Sequence, residues 1–318
     1  MNRQVSRRKR VAPTFLLLLA SLVSMAAFCP VRAAAAATTC LRAAQTPIRQ
    51  EVDEKQSNDW WDVVSACFAA EVSGKHTGGL SDADLAALRA RAFWNLGDTA
   101  LARDILVKAD ADHSLIARAF LAIHTMAFGR SPATALDIAT SVVKTADALR
   151  PIDRLAKAHA ALFIVQTAGN IGRHLDNPAL SELVDQVFAA RQHELIVALY
   201  ALSLNRKDQP LQATLNDWAE RLPETVRDEV AFDLAINHAN ELKQFPGWVC
   251  QSVERVLNER KNDDLDWSRI RAFAEDNKLC PGASRQTLLI ALKRLNESDK
   301  DSLLSLSDAI LSEDIVRS

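Results

Sequence analysis

Five times along this 318-residue chain, a proline opens a run whose apolar residues recur at helical spacing: "SPATALDIATSVV", "RPIDRLAKAHAALF", "NPALSELVDQVFAA", "QPLQATLNDWAERL" and "LPETVRDEVAFDLA". Proline's fixed φ suits the first helical position, where its missing N–H costs nothing, and it is excluded from helix interiors and central strands. The pattern predicts helices starting at Pro132, Pro151, Pro178, Pro210 and Pro223, with Ser131 and Asn177 capping two of them. Within the runs, Leu183, Val187 and Ala190 fall at i, i+4, i+7, as do Leu211, Leu215 and Trp218. Residues 158–168 and 195–204 are apolar nearly all round, which predicts two helices covered on both sides. Ser81 and Asp84 have the spacing of a capping box. Only 9 residues are glycine and β-branched runs are rare, so strands are disfavoured. The expected fold is all-α, roughly eleven or twelve helices joined by short loops, with residues 38–318 forming a single domain.

Residues 1–37 differ in kind. "MNRQVSRRKR" is basic with no acid, "VAPTFLLLLASLVSMAAF" is an apolar run, and "VRAAAAA" offers small residues at A-x-A spacing. This is the three-part plan of a secretory signal peptide, with cleavage expected after Ala35 or Ala37 and a periplasmic or secreted location. No stable membrane span is expected after cleavage. Cleavage removes six basic residues (Arg3, Arg7, Arg8, Lys9, Arg10, Arg32) and no acid. The 38 basic and 40 acidic side chains become 32 and 40, a net charge of −8. Such a chain is repelled by phosphate backbones, so nucleic acid is not an expected partner.

Four cysteines remain: Cys40, Cys67, Cys250 and Cys280. An even number in an exported chain predicts disulfides. Of the three possible connectivities we favour Cys40–Cys67 with Cys250–Cys280, because each pair brackets a helix-and-turn stretch of similar length.

The stretch "ARAFWNLGDTALARDILVKA" places Ala90 and Phe93 in one helix, Gly97-Asp98 at a turn, and Ala102, Leu106 and Ala109 in the next. Over residues 81–114 this resembles a tetratricopeptide unit, a helix–turn–helix of about 34 residues. A weaker second unit follows around Gly129, and later hairpins keep the rhythm without the signature residues. The resemblance implies a superhelical array of antiparallel helical hairpins, an α-solenoid. It also implies a concave groove for extended peptides lined by Asp84, Ala87, Arg91, Trp94 and Asn95. A compact helical bundle is the alternative fold, and for Trp94 the alternative to lining a groove is packing against the next helix.

Adjacent Trp60 and Trp61 point about 100° apart on a helix, so one ring is expected to pack while the other stays at the surface, as part of a cap or of a partner platform. The seven histidines form neither H-E-x-x-H nor a close metal pair, and no nucleophile elbow or phosphate loop appears. No catalytic residue, metal or cofactor is assigned. These features together point to a non-enzymatic, exported scaffold or adaptor with a protein or peptide partner. The alternatives are an envelope-polymer hydrolase and a small-ligand-binding helical bundle.

Overall fold

In the computed structural model, residues 38–46, 57–73, 79–129, 131–145, 150–172, 175–237 and 246–259 are described. Every regular element longer than a single turn among them is an α-helix: α1 (38–45), α2 (Ser57–Ser73), α3 (Asp82–Asn95), α4 (Thr99–Ala111), α5 (Leu115–Gly129), α6 (Pro132–Val143), α7 (Pro151–Asn170), α8 (Asn177–Ala189), α9 (His193–Arg206), α10 (Gln209–Ala219), α11 (Glu224–Asn237) and α12 (Gly247–Glu259). None of these helices is long and apolar enough to cross a membrane. The leader of residues 1–37 lies outside the described residues.

The tight connections share one chemistry. At the end of α3, Gly97 takes φ 90°. Asp98 N–H then donates to Phe93 O, and Gly97 N–H to Trp94 O. The same pair of bonds closes α4 (Ser114 to Ala109, His113 to Asp110) and α9 (Asp208 to Ser203, Lys207 to Leu204). His113 (φ 65°) and Lys207 (φ 55°) stand where glycine stands in the first turn. These bonds satisfy the orphan carbonyls of the ending helix. The next residue caps the following helix: Asp98 accepts from Leu101 N–H, Ser114 from Ala117 N–H and Asp208 from Leu211 N–H. One left-handed residue followed by one capping oxygen reverses the chain in the shortest space.

Proline marks the first turns of α6, α7, α8 and α10, whereas Pro223 lies just outside α11. Two caps differ from expectation. Asp176, not Asn177, caps α8, because the helix begins one residue earlier and Asp176 accepts from Ala179 N–H. Ser131 precedes α6 but donates to the Thr134 hydroxyl instead of accepting from a helix N–H.

Packing follows a simple order. Helix α3 lies against α5, α5 against α7, α7 against α9 and α9 against α11. The even-numbered helices α4, α6, α8, α10 and α12 each pack on the helix that precedes them. Helix α7 meets α5, α6, α8 and α9, which is why its residues 158–165 are buried without a break. Contact surfaces alternate alanine with large side chains: Ala87, Ala90, Ala117, Ala119, Ala156 and Ala160 are fully buried beside Leu88, Ile116 and Phe120. Burying each of the large ones stabilises by about 1.5–3 kcal/mol.

One carboxylate sets the register of α3, α5 and α7. Asp84 is 0% exposed. It accepts from Ser81 N–H and Ser81 Oγ (both 2.9 Å), completing the capping box of α3. It also accepts from Ser114 Oγ, the cap of α5 (2.8 Å), and from Arg150 Nη1, just before α7 (2.8 Å). Arg150 is further held by a two-bond fork to Asp153 and a bond to Gly79 O. The Asp153 bond is the main cause of its raised pKa; partial burial opposes it and the Asp84 charge adds to it. The three helices therefore begin at the same end, with negative charge where their dipoles favour it.

Helix α1 is attached more firmly than its polar flanks suggest. Cys40 is bonded to Cys67 of α2, with their Cα atoms 4.8 Å apart, and Cys40, Ala43 and Ala44 are fully buried. Cys250 is half-buried in α12, and Cys280 lies outside the described residues.

Two outcomes test this account. Asp84→Asn removes the charge that holds Arg150 and reverses one acceptor. Because Arg150 is partly exposed, the expected loss is about 2–3 kcal/mol, at the lower end for breaking a buried pair, read from denaturant midpoints. Substitutions at the left-handed positions have opposite signs: Gly97→Ala destabilises by about 1 kcal/mol, whereas Lys207→Gly is neutral to stabilising by about 0.5 kcal/mol.

Candidate functional site

Four of the residues singled out in the sequence come together where α2 meets α3. Arg91 and Trp94 lie one turn apart on α3, and Trp60 approaches from α2. The Arg91 guanidinium is 5.5 Å from the Trp60 ring centroid and 5.6 Å from that of Trp94, and its Nη1 donates to Asn95 Oδ1 at 2.7 Å. Arg91 is only 1% exposed. Burial draws its pKa down to about 9, so it remains charged at neutral pH. Two electron-rich ring faces and an amide oxygen partly replace the water it has lost.

Aromatic contact continues from Trp94. His124 of α5 sits edge-on to it at 5.1 Å, and Phe128, one turn further along α5, at 5.8 Å. His124 Nε2–H donates to Thr99 O at the start of α4 (3.0 Å), so three helices converge on this ring. Deeper inside, His159 of α7 donates its Nε2–H to Ala44 O of α1 at 2.7 Å and packs edge-on against Phe120. Since both acceptors are carbonyls, the proton lies on Nε2 in each histidine.

The environments of these rings oppose protonation. His159 is lowered to about 4, chiefly by burial; the Ala44 bond opposes that shift and the Arg91 charge adds to it. His124 is lowered chiefly by burial, with the Thr99 bond opposing and Arg103 adding.

The groove-facing expectation puts Asp84, Ala87, Arg91, Trp94 and Asn95 in the open. The structure places Asp84, Ala87 and Arg91 in the interior and leaves Trp94 7% exposed, because α5 and α2 cover the two sides of α3. Only Asn95 is half-exposed. Asp84 lies two turns from Arg91 and serves the helix starts. The tryptophan pair divides as the 100° rule predicts: Trp60 packs against the core, while Trp61 is 54% exposed.

Several participants were not singled out in the sequence. His124 and His159 carry no local signal of burial beyond apolar neighbours at helical spacing. Phe68 and Val72 did carry one: with Trp61 they fall at i, i+7, i+11, and they are 57% and 70% exposed. Among the described residues, no group of three or more His, Cys, Asp or Glu side chains is placed to hold a metal ion. The chain matches no protein-family model, no curated protein and no solved structure.

The histidines generate a pH prediction. In the unfolded chain a histidine protonates near pH 6.5, whereas native His159 resists protonation down to about 4. As pH falls through that window the unfolded state takes up a proton that the native state refuses. Stability is therefore fully present above the unfolded pKa and declines on acidification. The expected loss from His159 is on the order of 2 kcal/mol between about pH 7.5 and 5. His159→Gln keeps a donor at similar reach but does not titrate. Urea midpoints of this variant should change less across that range, with a residual slope from His124. An unaltered slope would show that His159 does not carry the effect.

Proposed function

We propose that this chain is an exported, non-enzymatic scaffold or adaptor of the bacterial cell envelope, built as a superhelical array of helical hairpins resembling tetratricopeptide repeats, and that it binds a protein or peptide partner. The observation that carries the reading is the packing order, in which α3, α5, α7, α9 and α11 follow one another and each even helix returns on the helix before it. That order is what stacked hairpins require, since each unit buries its apolar faces against its neighbours. The Cys40–Cys67 bond and the leader-like residues 1–37 support passage into an oxidising compartment. Pre-ordered helix faces suit binding, because little conformational entropy is lost on association.

The reading differs from a peptide groove along α3. With Asp84, Ala87 and Arg91 buried, the surfaces open to a partner among the described residues near this end include the exposed sides of α2 and α4 and the rim around Asn95 and Phe128.

Expression of the full chain in a bacterium tests the proposal. The expected product is found in the envelope fraction, lacks residues 1–37, and takes up an alkylating agent only after reduction. Cross-linking in envelope extract should capture a defined protein at a fixed molar ratio. Cytosolic material with an intact leader would overturn the export reading. Release of polymer fragments with no captured protein would favour the hydrolase.

A further inference from the structure

Helix α1 touches two helices that the packing order sets far apart. Cys40 is bonded to Cys67 of α2, and the Ala44 carbonyl accepts from His159 Nε2–H of α7 at 2.7 Å. Helices α2, α3, α5 and α7 follow one another in a row, each packed on the next. In a straight row, three spacings of about 8–10 Å separate the first from the fourth. Cys40 and Ala44 are one turn apart, about 6 Å along the helix. A segment this short reaches both ends only where the row bends around it, so α1 lies on the concave side. The side chains around it agree. Phe120 of α5 packs edge-on against His159, with ring centroids 5.2 Å apart. Arg91 of α3 is buried close enough for its charge to act on His159.

The segment is built as a guest more than as a wall. At eight residues, α1 is too short to hold a helix on its own. The side it turns inward is small: Cys40, Ala43 and Ala44 at i, i+3 and i+4, with half-buried Leu41 beside them. Thr38, Thr39 and Arg42 are exposed. Small side chains let the backbone approach, and the polar contact with α7 is made by backbone. Ala44 stands in the last turn, where helix carbonyls lack an intrahelical partner, and His159 supplies one. Side chains of this size bury little apolar area, so the covalent bond is the main attachment. Opening it takes two electrons and two protons from a dithiol reductant, leaves thiols at Cys40 and Cys67, and turns the reductant into a disulfide. The contacts then left, short side chains and a carbonyl on His159, are ones that another chain can supply.

We propose that α1 is a built-in occupant of a peptide groove formed by α2, α3, α5 and α7, an autoinhibitory contact locked by the Cys40–Cys67 bond, and that with the bond open the groove accepts a short helix of the same pattern from a partner protein. That pattern is small residues at i, i+3 and i+4, with an unpaired backbone carbonyl at the last turn for His159. The proposal deepens the scaffold reading and rests on it: the partner takes the inner face that α1 vacates, where Arg91 and His159 are covered while the bond is intact.

Disulfide exchange tests it on the purified protein. In Cys40→Ala the Cys67 thiol is left beneath the resident α1. A synthetic peptide of residues 38–46 carries its cysteine as a mixed disulfide with thionitrobenzoate. The Cys67 thiolate attacks the peptide sulfur, joins the peptide to the chain and expels coloured thionitrobenzoate, whose release gives the rate. A second peptide carries Ala43→Glu and Ala44→Glu. The variant Cys40→Ala, Cys67→Ala supplies the background. Placing Ala43→Glu and Ala44→Glu in the Cys40→Ala chain disables the resident segment. That chain should react with the unaltered peptide at least ten-fold faster than Cys40→Ala does, and at least ten-fold faster than with the second peptide. Equal rates for the two peptides, or no acceleration when the resident segment is disabled, overturn the proposal. Hydrogen exchange gives a second measurement that needs no displaced α1. Relative to the unaltered chain, Cys40→Ala should lower protection of residues 38–46 at least ten-fold and leave α5 and α7 as protected as before. Loss that spreads through α5 and α7 makes α1 part of the core and overturns the proposal, as does unchanged protection of residues 38–46. Small-angle scattering separates this from the array reading. A radius of gyration well above the ~19 Å of a compact domain of this length keeps the array even if α1 never leaves, whereas a compact value rejects the array itself.

Discussion

A single buried carboxylate organises the first half of this protein. Asp84 has room for four hydrogen bonds and receives them from the start of its own helix, from the cap of α5 and from the arginine before α7. Apolar packing alone tolerates sliding of one helix along another by a fraction of a turn, because alanine-rich ridges resemble one another. A hydrogen-bonded charge does not tolerate it, since a displaced partner leaves Asp84 buried and unpaired. The network thus penalises any register in which Asp84 loses these partners.

Beyond α7 a different device holds alignment. Arg206, at the end of α9, donates to Val165 O, Gln166 O and Asn170 Oδ1 at the end of α7. It neutralises the exposed carbonyls of that terminus, where a cation is favoured. The guanidinium sits where a Cβ on Gly169 would stand, so a larger residue there displaces this flexible side chain. One end of the parallel odd helices is therefore tied by an acid at helix starts and the other by a base at a helix end. Both follow the polarity of the helix dipole.

Much of this was legible in residue spacing. The Ser81–Asp84 box, the proline-marked first turns, the central α7 and α9, the division of Trp60 from Trp61 and the Cys40–Cys67 pairing follow from local chemistry. What spacing does not reveal is how many neighbours a helix face has. Periodicity identifies one apolar stripe on α3, but α3 is covered by α2, α4 and α5, so Arg91 and Asp84 are interior although their own helix looks amphipathic. The turns at His113 and Lys207 were hidden for a related reason. Glycine announces a left-handed residue, whereas a histidine or lysine there is visible only from the cap that follows it. Residue 114 is serine and residue 208 aspartate, and that pairing of cap with preceding helix end was the available signal.

The N-terminal end combines features that make sense together. Helix α2 packs on α3 and is bonded to α1, and the Cys40–Cys67 bond stabilises this end by restricting the unfolded chain. Its closure across 27 residues is worth about 3.5 kcal/mol in the chain-entropy account. His159 adds a second clamp by holding the last turn of α1 through Ala44. Arg91, seated between Trp60 and Trp94, fastens α2 to α3 by contacts that reach beyond aliphatic packing. Helix α2 is thus secured by a covalent bond to α1, by the Glu71–Arg89 ion pair and by a cation between rings. On its outward side Phe68 keeps one contact, the Arg89 guanidinium 5.8 Å from its ring, while Trp61 and Val72 stand exposed at a solubility cost.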